Sequence, residues 1–128
     1  MLLSFSIGSF EVPKVPNKKE LECLATNIYH EARGEPLKGQ VAVALVTLNR
    51  VADPRYPKTI CKVVFQKNQF SWTNVSTKIV YDLESLDAAI KAVNYKGVFE
   101  ATHYHATHVN PNWKLKQVAK IGNHVFYV

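Results

Sequence analysis

The chain contains no apolar run that approaches the roughly 20 residues needed to cross a bilayer, so no stable membrane association is expected. Residues 1–8 are apolar, but they lack the basic start and the small-residue cleavage site of a secretory signal peptide. We therefore expect residues 1–17, with Pro13 and Pro16, to form an extended N-terminal arm. A single domain is expected over residues 18–128.

Cysteine is scarce, and its two copies are Cys23 and Cys61. Two cysteines are too few for a disulfide framework, and their spacing is not that of a metal site. Both are interpreted as small buried apolar residues in preference to a bridge, although their pairing stays open at this point.

A dense basic patch is also missing. The formal charge of +6 and the pI near 9.4 favour a polyanionic partner, such as nucleic acid, an anionic membrane or a bacterial wall polymer. A nucleic-acid-binding module typically concentrates its lysines and arginines and interleaves them with aromatic residues. Here the basic residues are scattered, so nucleic acid is not expected to be the partner.

Two consecutive segments have the pattern of long helices. The first, residues 18–33, repeats apolar residues at helical spacing and follows Asn17, with Glu20 placed much as in a capping box. Pro36 is predicted to be the first residue of the second helix, which continues to Val51. That helix is apolar on almost every face, and we predict that it is the central buried element.

The rest of the chain has shorter elements. One or two helical turns are predicted over residues 59–65, and residues 66–73 have no clean periodicity. Asp82 is the predicted N-cap of another helix. Residues 101–109 alternate as a half-exposed strand does, and residues 117–128 predict a hairpin. The predicted fold class is α+β, with helices around a central buried helix and a small antiparallel sheet.

The segment from Tyr29 to Pro36 is unusually rich in reactive groups. Within it, Glu31 lies at the edge of the apolar face in the last turn of the first helix. Partial desolvation and the helix dipole both raise a carboxyl pKa there, as a general acid requires. Arg33 acts in the opposite direction. Glu31 is therefore a candidate catalytic residue, and the alternative is a surface glutamate beside an arginine.

Glu35 precedes Pro36 and so falls outside regular helix. It is open to three interpretations: a second catalytic carboxylate, an ion-pair partner of Arg33, or a group that orders the turn. Glycosidases with two carboxylates hold them roughly 5–9.5 Å apart, a distance that two residues across a helix break can meet. From the residues alone, a structural ion pair is favoured.

His103, His105 and His108 offer a different chemistry. Imidazole clusters bind catalytic zinc with one position left open for water. Such short spacings also arise by chance in a chain with five histidines, and the neighbouring hydroxyls equally suit a hydroxylated substrate. A zinc-dependent enzyme therefore remains an alternative.

Aromatic residues suggest where a sugar could stack. Phe70 is a candidate core residue, whereas Trp72 and Trp113 occur in polar, irregular stretches where exposed indoles bind rings. Nearby side chains that could hydrogen-bond such a ligand are Gln66, Asn68, Gln69 and Ser71.

Several motifs together resemble the SleB/CwlJ-type cell wall hydrolases. The most specific is the run Asn-Ile-Tyr-His-Glu-Ala-Arg-Gly-Glu-Pro at residues 27–36. The likeness continues through Gln-Phe-Ser-Trp at 69–72, His-Tyr-His-Ala at 103–106 and Ile-Gly-Asn-His-Val-Phe-Tyr at 121–127. It covers residues 18–128, and the family includes spore cortex-lytic enzymes and related phage and bacterial wall hydrolases.

The resemblance implies a lysozyme-like, lytic transglycosylase-like fold that cleaves the glycosidic bond between the amino sugars of peptidoglycan. Glu31 matches the family's catalytic acid. In members that are lytic transglycosylases, one carboxyl group protonates the leaving oxygen and then removes the C6 hydroxyl proton, which gives a 1,6-anhydro product. No cofactor, no metal and no second carboxylate are expected on that route.

The expected site therefore has Glu31 as its catalytic residue. The residues expected to shape the site and line the cleft for glycan strands are Arg33, Glu35, Gln69, Ser71, Trp72, Tyr104 and His105. We expect a monomer that acts on the bacterial wall, in a phage lysis or virion-associated setting more than in germination. The rival hypotheses are a zinc-dependent peptidoglycan amidase and a non-catalytic wall-binding module.

Overall fold

A computed structural model describes residues 16–66 and 69–128. Most of the expected N-terminal arm, residues 1–15, lies outside the described residues, as do Lys67 and Asn68. The helices are α1 (Lys18–Ala32), α2 (Leu37–Ala52), α3 (Ile60–Val64) and α4 (Leu83–Val93), with a short 3₁₀ helix at Ser71–Asn74. The strands are β1 (His103–Ala106), β2 (Gln117–Ile121) and β3 (His124–Tyr127). The predicted α+β class is confirmed.

Helix α1 begins as its sequence predicts. The side chain of Asn17 accepts a hydrogen bond from the backbone N–H of Glu20 at 2.9 Å, which satisfies one free donor of the first turn. The Glu20 carboxylate does not return to Asn17 to complete a capping box. It accepts instead from the backbone N–H of Ile60 at 2.6 Å, at the start of α3. One side chain thus joins the beginnings of two helices.

Helix α2 is the central buried element, as its apolar faces predict. It packs against α1, α3 and α4, and residues 42–47 are all buried. Pro36 is its N-cap residue and not its first helical residue. The buried Gln40 donates from Nε2 to the Glu35 carbonyl at 2.9 Å and to Glu84 Oε1 at 2.7 Å. These bonds matter because a buried amide left unsatisfied costs about 1–3 kcal/mol.

The three strands form an antiparallel sheet in the order β1-β3-β2. Strand β1 is shorter than the predicted segment 101–109. Tyr104 pairs with Phe126 in the register, and His124 is two residues before Phe126, so all three side chains share one face. Gly122, in the β2–β3 turn, has φ +56°, and a Cβ there would collide with the Glu35 carboxylate. This glycine lets the turn approach the α1–α2 connection closely.

Cys23 and Cys61 form a disulfide, which corrects the interpretation of both as simple buried apolar residues. Helix α1 packs on α3, and this contact brings the two Cα atoms to 5.2 Å, within the range that a bridge requires. The residues are 38 positions apart in sequence, so spacing alone could not reveal the pairing.

No helix within residues 16–66 and 69–128 is long and apolar enough to cross a membrane.

Candidate active site

The site is built on the break between α1 and α2. Helix α1 ends with Arg33 as its C-cap residue, and Gly34 takes φ +89°, a conformation that glycine adopts without steric cost. The backbone N–H of Glu35 bonds back to the Ala32 carbonyl at 3.0 Å, and Pro36 then starts α2. The chain therefore turns sharply, with Glu31 in the last turn before it.

Glu31 is partly buried and is bound by a residue of the sheet. The Tyr104 hydroxyl donates to Glu31 Oε1 at 2.5 Å, across 73 positions of sequence. This distance is in the short range seen when a hydroxyl donates to a carboxylate. The bond occupies one carboxyl oxygen and restricts the orientation of the group.

The surroundings of Glu31 favour its protonated form. Burial raises the pKa of the Glu31 carboxyl above its usual range, while the Tyr104 hydrogen bond and the charge of Arg50 lower it in part. Burial and the nearby Glu31 charge hold the pKa of Tyr104 well above its ordinary value. Tyr104 therefore stays neutral and remains the donor, while burial favours the protonated form of Glu31 more than water does.

The arginine that influences Glu31 is Arg50, which corrects the expectation placed on Arg33. The Arg33 side chain is exposed, and its guanidinium lies over the Tyr29 ring at 4.1 Å from the centroid. Arg50 is 6% exposed, near the end of α2, and its Nε donates to the Thr102 carbonyl at 2.8 Å. In the sequence, Arg50 is a cation in the last turn of a largely apolar helix.

Glu35 has partners other than Arg33, the ion-pair partner considered from the sequence. Its Oε1 accepts from the backbone N–H of Asn123 at 2.7 Å, and its Oε2 accepts from Asn123 Nδ2 at 3.0 Å. His124 Nδ1 lies 3.8 Å from the same Oε1. The backbone hydrogen bond is the main cause that lowers the pKa of Glu35, so this carboxyl is ionised near neutral pH. Glu35 connects the helix break to the β2–β3 turn.

Replacing Tyr104 by phenylalanine is expected to slow cleavage and to change its pH dependence. The variant loses the hydrogen bond that orients Glu31 and lowers its pKa, so the pKa of Glu31 should rise. An acid with a higher pKa keeps its proton to higher pH, and the alkaline limb of the rate profile should therefore move upward. We expect a rate loss of about 10- to 100-fold from the misplaced carboxyl. A pH–rate profile with an unmoved alkaline limb would contradict this coupling.

Trp72 and the residues near it in sequence differ in how far they are exposed. Trp72 is partly buried, and its indole stacks on the His30 ring at 4.2 Å between centroids, so the expectation of an open indole is wrong here. Gln69 and Ser71 are exposed, and Gln69 Oε1 lies 3.5 Å from Arg50 Nη1, a weak contact. Phe70 is buried, as predicted.

The two histidines of β1 lie on the other face of the sheet from Tyr104. Side chains alternate along a strand, so His103 and His105 occupy the face opposite Tyr104. Both rings pack edge-on to the exposed Trp113, and His105 Nε2 lies 2.8 Å from the Tyr127 hydroxyl. In the described part of the chain, no three His, Cys, Asp or Glu residues are arranged to hold a metal ion. His105 is thus separated from the Glu31 side of the sheet.

The sequence profile of the Cell Wall Hydrolase family matches residues 34–127, which is most of the chain. The chain belongs to this family. The matched region begins three residues after Glu31, and it includes Glu35, Arg50 and Tyr104. The family membership expected from the motifs is confirmed.

The relatives of this cell wall hydrolase include longer proteins. It is 35% identical over 123 residues to a spore cortex-lytic enzyme of Bacillus cereus, covering 90% of this chain and 46% of that protein. A spore cortex-lytic enzyme of Bacillus subtilis is 32% identical over 120 residues, covering 86% of this chain and 38% of that protein. The chain thus spans less than half the length of these curated relatives.

Two solved structures have the same fold. The catalytic domain of Bacillus cereus SleB aligns with a TM-score of 0.81 at 30% identity, covering 91% of this chain and 95% of that one. The catalytic domain of the germination-specific lytic transglycosylase SleB from Bacillus anthracis aligns at 0.80 and 30% identity, covering 91% of this chain and all of that one. The hydrolase therefore has the architecture of these catalytic domains.

Proposed function

We propose that this cell wall hydrolase cleaves peptidoglycan at the glycosidic bond between N-acetylmuramic acid and N-acetylglucosamine, with Glu31 as its one general acid and base. The observation that carries the proposal is the partly buried Glu31 carboxyl, whose pKa is raised and whose Oε1 is held by Tyr104. Protonation of a leaving oxygen requires a carboxyl group whose surroundings raise its pKa, as burial does for Glu31.

The reaction proceeds in two proton transfers through the same group. The Glu31 acid gives its proton to the glycosidic oxygen, the C1–O bond breaks, and its electron pair goes to the departing hydroxyl. The resulting Glu31 carboxylate then removes the C6 hydroxyl proton of the muramic residue while O6 bonds to C1. This step closes the 1,6-anhydro ring and restores the acid, without consuming water.

The contacts of Glu35 support a route with one carboxyl group. Hydrogen bonds from Asn123 engage both oxygens of Glu35, and its side chain is only 11% exposed. These bonds hold the Glu35 carboxylate on the β2–β3 turn, whereas a nucleophile or base must be directed at the substrate. The name of the Bacillus anthracis relative, a lytic transglycosylase, points to the same route.

Arg50 and Tyr104 have distinct parts in this scheme. Tyr104 keeps one oxygen of Glu31 fixed in both protonation states, because its own pKa is raised and it remains a donor. Arg50 places a positive charge near Glu31, which favours the carboxylate formed after the first proton transfer. Burial and Arg50 thus act in opposite directions on the Glu31 pKa.

The charge and the disulfide suit work on the cell wall. A net charge of +6 favours approach to anionic wall polymer, and a disulfide persists in compartments outside the reducing cytoplasm. No observation in the described residues favours the zinc amidase, because His103, His105 and His108 are not grouped as metal ligands. Membership of a hydrolase family likewise gives no support to a purely wall-binding module.

Mass spectrometry of purified sacculi digested with the protein tests the proposal. Ring closure gives muropeptides lighter than the hydrolysed ones by the mass of one water, and this product is expected. Hydrolysed reducing ends would mean that water attacks C1 in place of O6, with Glu31 still the acid. Release of stem peptides from intact glycan strands, or no release at all, would reject glycosidic cleavage.

A further inference from the structure

A buried histidine of β3 connects the two glutamates of the helix break. His124 is 8% exposed, and its Nδ1 is buried without a hydrogen-bond partner among the described residues. The nearest charged group is the carboxylate of Glu35, whose Oε1 lies 3.8 Å from His124 Nδ1, beyond hydrogen-bond distance. An unpaired polar atom in such a position is costly, so its retention needs an explanation.

The His124 ring also contacts Tyr104, the residue whose hydroxyl donates to Glu31. The His124 and Tyr104 rings pack edge to face, with 5.2 Å between centroids and 82° between planes. Tyr104 also contacts the fully buried Phe126 at 5.7 Å between centroids. These two neighbours enclose the phenol ring, and its hydroxyl can then reach Glu31 only from a narrow range of positions.

We propose that Glu35 is a positioning residue, which acts on Glu31 through His124 and Tyr104. The Glu35 charge holds the orientation of the His124 ring, that ring confines Tyr104, and Tyr104 sets the Glu31 carboxyl plane. The hydrogen bonds from Asn123 keep the Glu35 carboxylate in place. This inference rests on Glu31 being the acid of the proposed function, and it replaces the expectation that Glu35 binds substrate.

The groups that face His124 are compatible with this arrangement. From the helix break, Glu35 raises the pKa of His124, and from β1, His105 lowers it. Burial is the largest cause and also lowers the pKa, so the His124 ring is mainly neutral near pH 7. Tyr104, the remaining titratable neighbour, stays neutral because its pKa is raised well above its ordinary value. The interaction is therefore one between a carboxylate and the dipole of a neutral ring, and it persists across the neutral range.

Steady-state kinetics of Glu35→Gln on soluble glycan-strand fragments separates the possible roles of Glu35. A positioning residue predicts a fall in kcat of about 10- to 100-fold with an unchanged KM. A raised KM with unchanged kcat would mean substrate binding, and a loss as complete as that of Glu31→Gln would mean a second catalytic carboxylate. Either result, or unaltered kinetics, would overturn the inference.

A double-mutant cycle tests the path through Tyr104. Since Glu35 acts by way of that ring, Glu35→Gln combined with Tyr104→Phe should be no slower than Tyr104→Phe alone. Multiplied effects would show that Glu35 acts by another path and would overturn the proposal. The exposed Glu100→Gln is the matched charge control, and thermal unfolding checks that each variant is folded.

NMR titration of the His124 ring in the full chain gives a readout that does not depend on activity. Removing the Glu35 charge should lower the pKa of His124, because Glu35 is the group that raises it. If Glu35→Gln unfolds, His124→Phe keeps an aromatic ring at that position but removes the ring dipole on which the Glu35 charge acts, and it should show the same loss of kcat. An unmoved His124 titration refutes the Glu35–His124 link, whereas an active Glu31→Gln refutes the proposed function instead.

Discussion

Glu31→Gln is expected to reduce wall cleavage by at least about 10³-fold, toward the upper end of what general acid–base catalysis contributes. Glutamine has the size of glutamate, and its carbonyl oxygen can still accept the hydrogen bond from Tyr104. The variant loses only the proton that is transferred to the leaving oxygen. Release of muropeptides from purified sacculi measures the effect.

The fold should survive this substitution, since burial of a neutral amide is no less favourable than burial of a carboxyl group at this site. Thermal unfolding of Glu31→Gln should therefore match that of the wild type or exceed it slightly. Glu100→Gln makes the same substitution at an exposed position and should keep full activity. Substantial cleavage by folded Glu31→Gln would exclude Glu31 as the acid.

Reduction of the Cys23–Cys61 disulfide is expected to lower the free energy of unfolding substantially. The bridge spans 38 positions of sequence. In the chain-entropy description, closing a loop of that size contributes about 3–4 kcal/mol. This is a large share of the roughly 5–15 kcal/mol that stabilises a typical domain. Denaturant unfolding with and without a thiol reductant measures it, and the midpoint of thermal unfolding should fall by roughly 10–15 °C.

Cys23→Ala combined with Cys61→Ala is the matched control for this experiment. The double variant should have the lower stability of the reduced protein, and the reductant should not change it further. If the reductant leaves the wild type unchanged, or destabilises the double variant equally, the bridge does not stabilise the fold in the way proposed. Because the bridge joins α1 to α3 and not to the sheet, we expect wall cleavage below the unfolding temperature to persist.

The sequence predicted the elements because their signals are local. Apolar spacing placed α1 and α2, Asp82 marked the start of α4, and a period of two marked the sheet. The apolar faces of α2 were enough to predict its burial. The specific motif around Glu31 also lies within ten consecutive residues, 27–36, so the candidate acid could be singled out without any knowledge of packing.

Tertiary structure decided which groups act on that acid. Tyr104 reaches Glu31 across 73 positions, and Asn123 reaches Glu35 across 88. Contacts between residues so far apart in sequence cannot be predicted from local periodicity, and neither can the Cys23–Cys61 pairing. Tertiary packing also decided that Arg50, and not the expected Arg33, lowers the pKa of Glu31. The sequence by itself determined the helices, the sheet and the candidate acid, whereas the environment of the acid depends on how α1, α2 and the sheet pack, because charges and hydrogen bonds act through space.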